Sequence, residues 1–310
     1  MKILLLGSHG FIGTHVRKML VARGHEVRCI DRFERRVHGP TPTIPEGVRK
    51  ASYAFLVPED LEGVEVIVHL AAQVGVADSM TDPLRYVIDN TSETAVMMQR
   101  IAEFGKDVRK IVVASSMSIY GDPETSTPIG EEWPARPASV YGLTKYDQEA
   151  LVMLLAPLAG ITPVALRFFN VYGPGQALTN PYTGVLANFA NNILRGDPPI
   201  VYEDGLQTRD FIFVEDVAAA VVGAVEEDLS GVYNVSTGDA STILSVAQQM
   251  CHALGYLGEP YLPGTLRPGD IRHCIGRNLK LRLALPWWEP RSFAQGMDLY
   301  AQHLLASAQG

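Results

Sequence analysis

The sequence predicts an α/β fold, a doubly wound parallel sheet followed by a smaller C-terminal α/β lobe, and three observations predict it. Five short runs are almost continuously apolar: Ile3–Leu6, Val27–Ile30, Val66–His69, Ile111–Ala114 and Val164–Phe168. Strands buried on both faces of a parallel sheet read this way. Between the runs lie longer stretches with helical periodicity, and strand–helix alternation builds parallel sheets. From about Asn170 onward the texture changes, with Pro, Gly, Asn and Tyr frequent in 171–184 and 259–270. No repeat, low-complexity segment or linker interrupts the chain.

The 310 residues are 47% hydrophobic and 19% charged, with a formal net charge of −8. That is ordinary globular composition with enough apolar side chain for a large core. The acidic balance gives no reason to expect a nucleic-acid partner. The three cysteines, Cys29, Cys251 and Cys274, are far apart and form no CxxC pair, so reduced thiols are expected, with no disulfide and no metal site. No apolar run approaches the ~18 residues of a membrane span. The run Ile3–Leu6 stops at Gly7, too short for the apolar core of a signal peptide; a cytoplasmic protein away from membranes is expected.

Taken in order, the first strand ends in Gly7-Ser8-His9-Gly10-Phe11-Ile12-Gly13, a GxxGxxG run that opens a helix whose apolar stripe is Ile12, Val16, Met19 and Leu20. Glycines at this spacing permit a tight turn, close backbone approach to a pyrophosphate and close helix–strand packing, with the helix N-terminus facing the anion. A bare structural turn is the simpler alternative. The second strand ends at Asp31, where a carboxylate would receive the adenosine ribose hydroxyls and repel a 2′-phosphate. NAD is therefore favoured over NADP, although Arg32 next to it could contact such a phosphate. The stripe Val87, Ala95, Met98 and Ile101 predicts a helix between the third and fourth runs. The fourth run leads into Ser115-Ser116-Met117-Ser118-Ile119-Tyr120-Gly121, and further on stands Tyr141-Gly142-Leu143-Thr144-Lys145. Tyr and Lys four apart share a helix face. A cation there would stabilise tyrosinate and draw the phenol down toward working pH, while a strand-end hydroxyl holds the substrate oxygen.

With these motifs on one chain, and with His69-Leu70-Ala71-Ala72-Gln73, Arg167-Phe168-Phe169-Asn170-Val171-Tyr172-Gly173-Pro174, Arg209-Asp210-Phe211-Ile212-Phe213-Val214 and Arg267-Pro268-Gly269-Asp270, the sequence resembles the extended short-chain dehydrogenase/reductases along essentially its whole length. It looks most like the nucleotide-sugar epimerase/dehydratase branch. Within it, the runs 176–184 and 203–210 are most similar to UDP-glucose and dTDP-rhamnose 4-epimerases. The resemblance implies a Rossmann-type NAD-binding domain over 1–168 and a substrate lobe over 169–310, with the chain around 211–236 returning to the sheet. It implies Ser116, Tyr141 and Lys145 as the catalytic triad. Gly7, Gly10, Phe11, Ile12, Asp31, Arg32, Leu70, Ala71, Ala72, Asn90, Ala114, Ser115, Tyr141, Lys145 and Phe168 would meet the cofactor. Ser116, Asn170, Gln207, Arg209, Arg267 and Asp270 would hold a UDP- or dTDP-linked sugar. The family commonly pairs as a homodimer through two helices per chain, here near Asn90–Phe104 and from Tyr141 onward. Family members also carry an acid within the segment matching Ala51–Phe55, and this chain has none there.

The reaction implied is oxidation of the sugar at C4 and re-reduction on the opposite face. Related dehydratases place an Asp-Glu pair directly after the catalytic hydroxyl residue, and UDP-glucuronate decarboxylases keep a Glu at the second of those positions. Here Met117 and Ser118 stand there, and neither is an acid or base for elimination. Two other readings stay open: a ketoreductase of a dTDP-4-keto-6-deoxy sugar using NAD(P)H, toward which Arg32 leans, and a non-catalytic dinucleotide sensor.

Overall fold

The structure, a computed structural model, describes residues 1–123, 126–178, 184–265 and 271–308. In chain order its strands are β1 (Lys2–Leu6), β2 (Glu26–Asp31), β3 (Val48–Lys50), β4 (Val66–His69), β5 (Lys110–Ser116), β6 (Thr162–Phe168), β7 (Asn170–Tyr172), β8 (Thr208–Arg209), β9 (Phe211–Phe213), β10 (Gly231–Val235), β11 (Ser241–Thr242) and β12 (His273–Cys274). Seven of them form one sheet in the order β10-β6-β5-β4-β1-β2-β3, with every neighbouring pair parallel. This is the doubly wound α/β architecture expected. The five apolar runs all became strands of it, and the sheet adds β3 and β10 at its two edges.

Successive residues of a strand point to opposite faces, and the apolar runs feed a separate core on each. Ile3, Leu5, Val66, Val68, Val112, Val164 and Leu166 face one layer, where helix Phe11–Ala22 and helix Val214–Glu226 pack. Leu4, Leu6, Ile67, Ile111, Val113 and Ala165 face the other, under helices Glu93–Phe104 and Val140–Leu155. Each such valine, leucine or isoleucine, fully buried, contributes about 1.5–3 kcal/mol. Helix Val214–Glu226 is apolar almost all round because it is buried almost all round.

The chain winds outward from β1 to β2 and β3, then returns to β4 on the other side of β1. Ligands of open α/β sheets bind at such a reversal, outside the carboxyl ends of the strands. The C-terminal part of the chain adds a third core, built on Tyr172, Phe189, Phe211, Phe213, Met250 and Tyr300. Its small sheets pair β7 with β9, and β8 with both β11 and β12. Among the described residues, no helix is long and apolar enough to cross a membrane.

Candidate active site

The glycine turn joins β1 to helix Phe11–Ala22 where the sheet reverses. Gly7 has φ +80°, and a Cβ there would meet the backbone nitrogen of Ala71 at 2.8 Å; a Cβ at Gly13 would stand 1.9 Å from the Gly7 carbonyl oxygen. Both glycines are therefore required by close packing of the turn against the loop after β4 and against its own helix. Gly10 differs. Its Cβ would meet nothing closer than Gly7 O at 3.6 Å, so the space above it is open. It caps the helix without a side-chain bond, and the first helical turn carries no acid. Helix-initial N–H groups have no intrahelical partners, so Phe11 and Ile12 begin a helix N-terminus suited to an anion.

A groove runs from this turn along the ends of β2, β1 and β4, lined among others by Gly7, Gly10, Asp31, Arg32, Leu70, Ala71 and Ala72. Asp31 is buried at the end of β2. Its Oδ2 accepts from the His9 N–H at 2.9 Å and its Oδ1 from the Phe33 N–H at 2.8 Å. Each oxygen keeps a second lone pair, so the carboxylate that fastens the turn can also receive a diol. Arg32 is engaged on every side by carboxylates: Asp89 Oδ2 at 2.9 Å, Glu93 Oε2 at 2.5 Å and Glu34 Oε1 at 3.3 Å. Burial works against its charge, but Glu93 and Asp89 hold the guanidinium above its ordinary range.

Ser116 ends β5, one strand beyond β4. Its hydroxyl accepts from Ser118 Oγ at 2.8 Å and the Ser118 N–H at 3.2 Å, and it bonds the phenol of half-buried Tyr141. Tyr141 and Lys145 lie on helix Val140–Leu155, which Ser139 caps through the Gly142 N–H. The ring of Tyr86 meets Tyr141 edge-on, centroids 6.5 Å apart. Lys145 Nζ donates to Ala114 O at 2.8 Å and to Gln148 Oε1 at 2.6 Å. Burial lowers Lys145 to about 7 against the opposing Glu149 carboxylate. Burial raises Tyr141, with the Ser116 bond pulling it back. Tyr141 and Lys145 share a helix face, but the ammonium turns to a strand carbonyl and an amide oxygen, the acceptors nearest it in a dry site.

Other expected residues are placed by their hydrogen bonds. Asn90 is fully buried. Its amide accepts from the Gln73 N–H at 2.7 Å and donates to Gln73 O and Thr144 Oγ1, so it clasps the loop after β4 to the Tyr141 helix. Ser115 donates to Glu149 at 2.6 Å, within a buried network that includes Arg167. Phe168 belongs to the sheet core, and Ala114 acts through its carbonyl. Gln148 and Ser118 were not expected. Gln148 is fully buried, bonds Lys145, and donates to Thr94 Oγ1 at 3.1 Å. Its spacing of three from Lys145 on one helix face was the signal available.

The lobe brings further expected residues to the sheet edge. Asn170 opens β7 and donates to Asp210 O at 2.9 Å. Arg209 is buried on β8, paired in register with Cys274, whose sulfur lies 3.2 Å from that of Met117 in the Ser116 loop. Gln207 is buried with its Oε1 lacking a hydrogen-bond partner. A buried acceptor left open in this way suits a ligand donor. Arg267 and Asp270 lie outside the described residues. Among the described residues, no cluster of three or more His, Cys, Asp or Glu side chains is placed to hold a metal ion.

Comparison with known proteins places this geometry. The NAD dependent epimerase/dehydratase family matches residues 3–236. The chain is 31% identical to a dTDP-L-rhamnose 4-epimerase of Burkholderia thailandensis, over 94% of this chain and 91% of that one. It is 32% identical to a UDP-N-acetyl-alpha-D-glucosaminuronate decarboxylase of Bacillus cytotoxicus, over 80% and 79%. The structure superposes on a Thermus thermophilus UDP-glucose 4-epimerase solved with NAD, with a TM-score of 0.85 and 31% identity, covering 99% of this chain and 100% of the other.

Proposed function

The chain belongs to the NAD dependent epimerase/dehydratase family, and from that premise we propose that it is a 4-epimerase of a UDP- or dTDP-linked sugar. The groove fits NAD by its own geometry: open space above Gly10, an uncapped helix N-terminus behind it, and Asp31 at the far end. Gly7, Gly10, Phe11 and Ile12 would cradle the diphosphate, Asp31 the ribose diol, and Leu70, Ala71 and Ala72 the wall opposite. Bound there, NAD supplies a reversible two-electron acceptor for a carbinol carbon.

The residues of this chain then have defined work. Tyr141 takes the proton of the C4 hydroxyl and later returns it. Ser116, with its lone pairs directed by Ser118, holds the C4 oxygen against Tyr141. Lys145 stays fixed by Ala114 and Gln148, and Asn90 ties the groove loop to the same helix. Asn170, Gln207, Arg209, Arg267 and Asp270 receive the nucleotide diphosphate, for which guanidinium groups are apt partners.

One observation carries the choice of reaction within the family. Beside the Ser116 hydroxyl stands another hydroxyl, that of Ser118, followed by no acid–base pair. Residues 117 and 118 offer no acid or base to drive elimination of water, so for a 4-keto sugar without a C6 carboxylate re-reduction is the step this site supports. The ketoreductase reading leaned on Arg32, which three carboxylates already occupy. The same proposal takes residues 1–168 as the cofactor domain and 169–310 as the substrate lobe, with 211–236 returning to the sheet. It also takes the protein as a cytoplasmic homodimer.

The test is to incubate the purified protein with UDP-glucose, UDP-N-acetylglucosamine, UDP-glucuronate and dTDP-6-deoxy sugars in turn, following products by NMR. A C4-inverted sugar without net NADH is expected from one of them, and Tyr141→Phe should lower kcat by about 10²–10⁴-fold while NAD stays bound. Net NADH accumulation with the accepted sugar, or a fully active Tyr141→Phe variant, would overturn the proposal.

A further inference from the structure

We infer that Asp89, Glu93 and Glu34 set the cofactor preference of the groove by occupying the Arg32 guanidinium, so that a dinucleotide with a free 2′-hydroxyl is accepted and one with a 2′-phosphate is rejected. The inference rests on the dinucleotide-binding reading above and deepens it.

A guanidinium directly after the acid at the end of β2 stands where an arginine receives a 2′-phosphate, and its planar fork is the natural partner of that group. Arg32 lines the groove, yet both ends of its fork are taken. Nη1 faces Asp89 Oδ2 at 2.9 Å and Glu34 Oε1 at 3.3 Å. Nη2 faces Glu93 Oε2 at 2.5 Å and Ser52 Oγ at 3.2 Å. Ser52 in turn donates to Glu93, so the second contact is braced.

The clamp is itself held. Asp89 accepts from Gln73 Nε2 at 2.8 Å, and Arg85 Nη2 reaches Glu34 at 3.0 Å. The group therefore carries three carboxylates against two guanidinium ions, Arg32 and Arg85, with Asp31 adding a further negative charge at the same groove. A phosphate dianion could take Arg32 only by displacing carboxylates and leaving them uncompensated beside itself. Placing unpaired like charges against the wrong ligand is how a site excludes it. A ribose hydroxyl brings no charge and leaves the clamp intact.

The test is a titration of cofactor-stripped protein with NAD+ and NADP+ by calorimetry. The wild-type protein should bind NAD+ tighter by roughly 100-fold or more. In the double variant Asp89→Asn, Glu93→Gln the ratio should fall by about tenfold or more through tighter NADP+ binding, and adding Arg32→Ala should reverse that gain. A double variant that binds NAD+ with the ratio unchanged overturns the inference, as does a wild-type protein that does not discriminate. If the double variant binds neither dinucleotide, Glu34→Gln carries the same test with a ratio lowered about threefold, and an unchanged ratio there is equally fatal. A wild-type protein that binds neither dinucleotide brings down the proposed function itself, and this inference with it.

Discussion

Lys145 is buried to 3% exposure with a carbonyl and an amide oxygen as its hydrogen-bond acceptors. Burial lowers it to about 7, the Glu149 carboxylate opposing. Unfolded, the same lysine titrates at about 10.4. Below pH 7 both states hold the proton and the fold bears the full cost of a buried ammonium. Between about 7 and 10 the folded state has shed a proton that the unfolded state keeps, so stability rises with pH across that window. Urea unfolding of the cofactor-free protein and of Lys145→Met should show their free-energy difference moving in favour of wild type from pH 7 to 10 and flat below it. A difference flat throughout would mean that Lys145 stays charged in the fold. The Ser116, Tyr141 and Lys145 positions were legible in sequence because a strand end and an i,i+4 pair are local patterns. What the ammonium touches was not, because Ala114 comes from β5 and the Gln148 amide is fixed by Thr94 and His69 from elsewhere. Two of the three carboxylates around Arg32 were illegible for the same reason, since Asp89 and Glu93 lie about sixty positions away along the chain, whereas Glu34 is a near neighbour.

The glycine turn behaves as one element with two kinds of glycine, and substitution should separate them. In Gly13→Ala the added methyl would collide with the Gly7 carbonyl at 1.9 Å, backbone against backbone with little room to relax. A cost of about 1–3 kcal/mol or more is expected, seen as a lower thermal midpoint with or without NAD. Gly10 has an ordinary φ of −69°, and a methyl there meets only Gly7 O at 3.6 Å. Gly10→Ala should therefore leave the cofactor-free midpoint within about 0.5 kcal/mol of wild type yet weaken NAD binding about tenfold or more, since the methyl stands over the helix N-terminus. The reverse pattern would place the diphosphate elsewhere. The turn itself was readable because glycines in a strand–turn–helix context leave few alternatives. Edge strands were not. β3 is Val48-Arg49-Lys50, too short and polar to stand out, as befits an edge covered on fewer sides. β10 begins at a glycine and carries Tyr233 and Asn234. Its Asn234 side chain donates to Ile129 O and accepts from Tyr120, a buried polar use that breaks the apolar run by which a strand is recognised.

At the scale of the whole molecule, helices Glu93–Phe104 and Val140–Leu155 cover one face of the sheet through Met97, Met98, Ile101 and Val152, so Met98 and Ile101 of the apolar stripe foreseen in sequence are spent inward, while its first member, Val87, precedes the helix and is exposed. What sequence periodicity could not separate is a second, outward use. The structure leaves Val96 on the first helix, Leu143 and Leu154 on the second and Ile88 just before the first exposed, Leu154 to 67%. Singly exposed apolar side chains are ordinary, so the dimer expected through these helices needs a direct test. Leu143 and Leu154 are eleven residues apart, three helical turns, and therefore lie on one side of their helix. Two copies packing this layer together would form a four-helix contact in which each contributes the same patch, as a twofold interface requires. A stable interface buries about 800 Å² per partner, and charges placed at Leu143 and Leu154 would lie within one formed by these helices. Sedimentation of the wild-type protein should give twice the chain mass, and Leu143→Asp with Leu154→Asp should give a folded monomer whose thermal midpoint is lower than that of the wild type and no longer rises with protein concentration, because association has ceased to stabilise the fold. A monomeric wild-type protein at micromolar concentration would remove the dimer from the proposed function. A variant that stays dimeric would move the interface to another face. In either case the groove and the Ser116–Tyr141 pair stand, because every residue described in them comes from one chain.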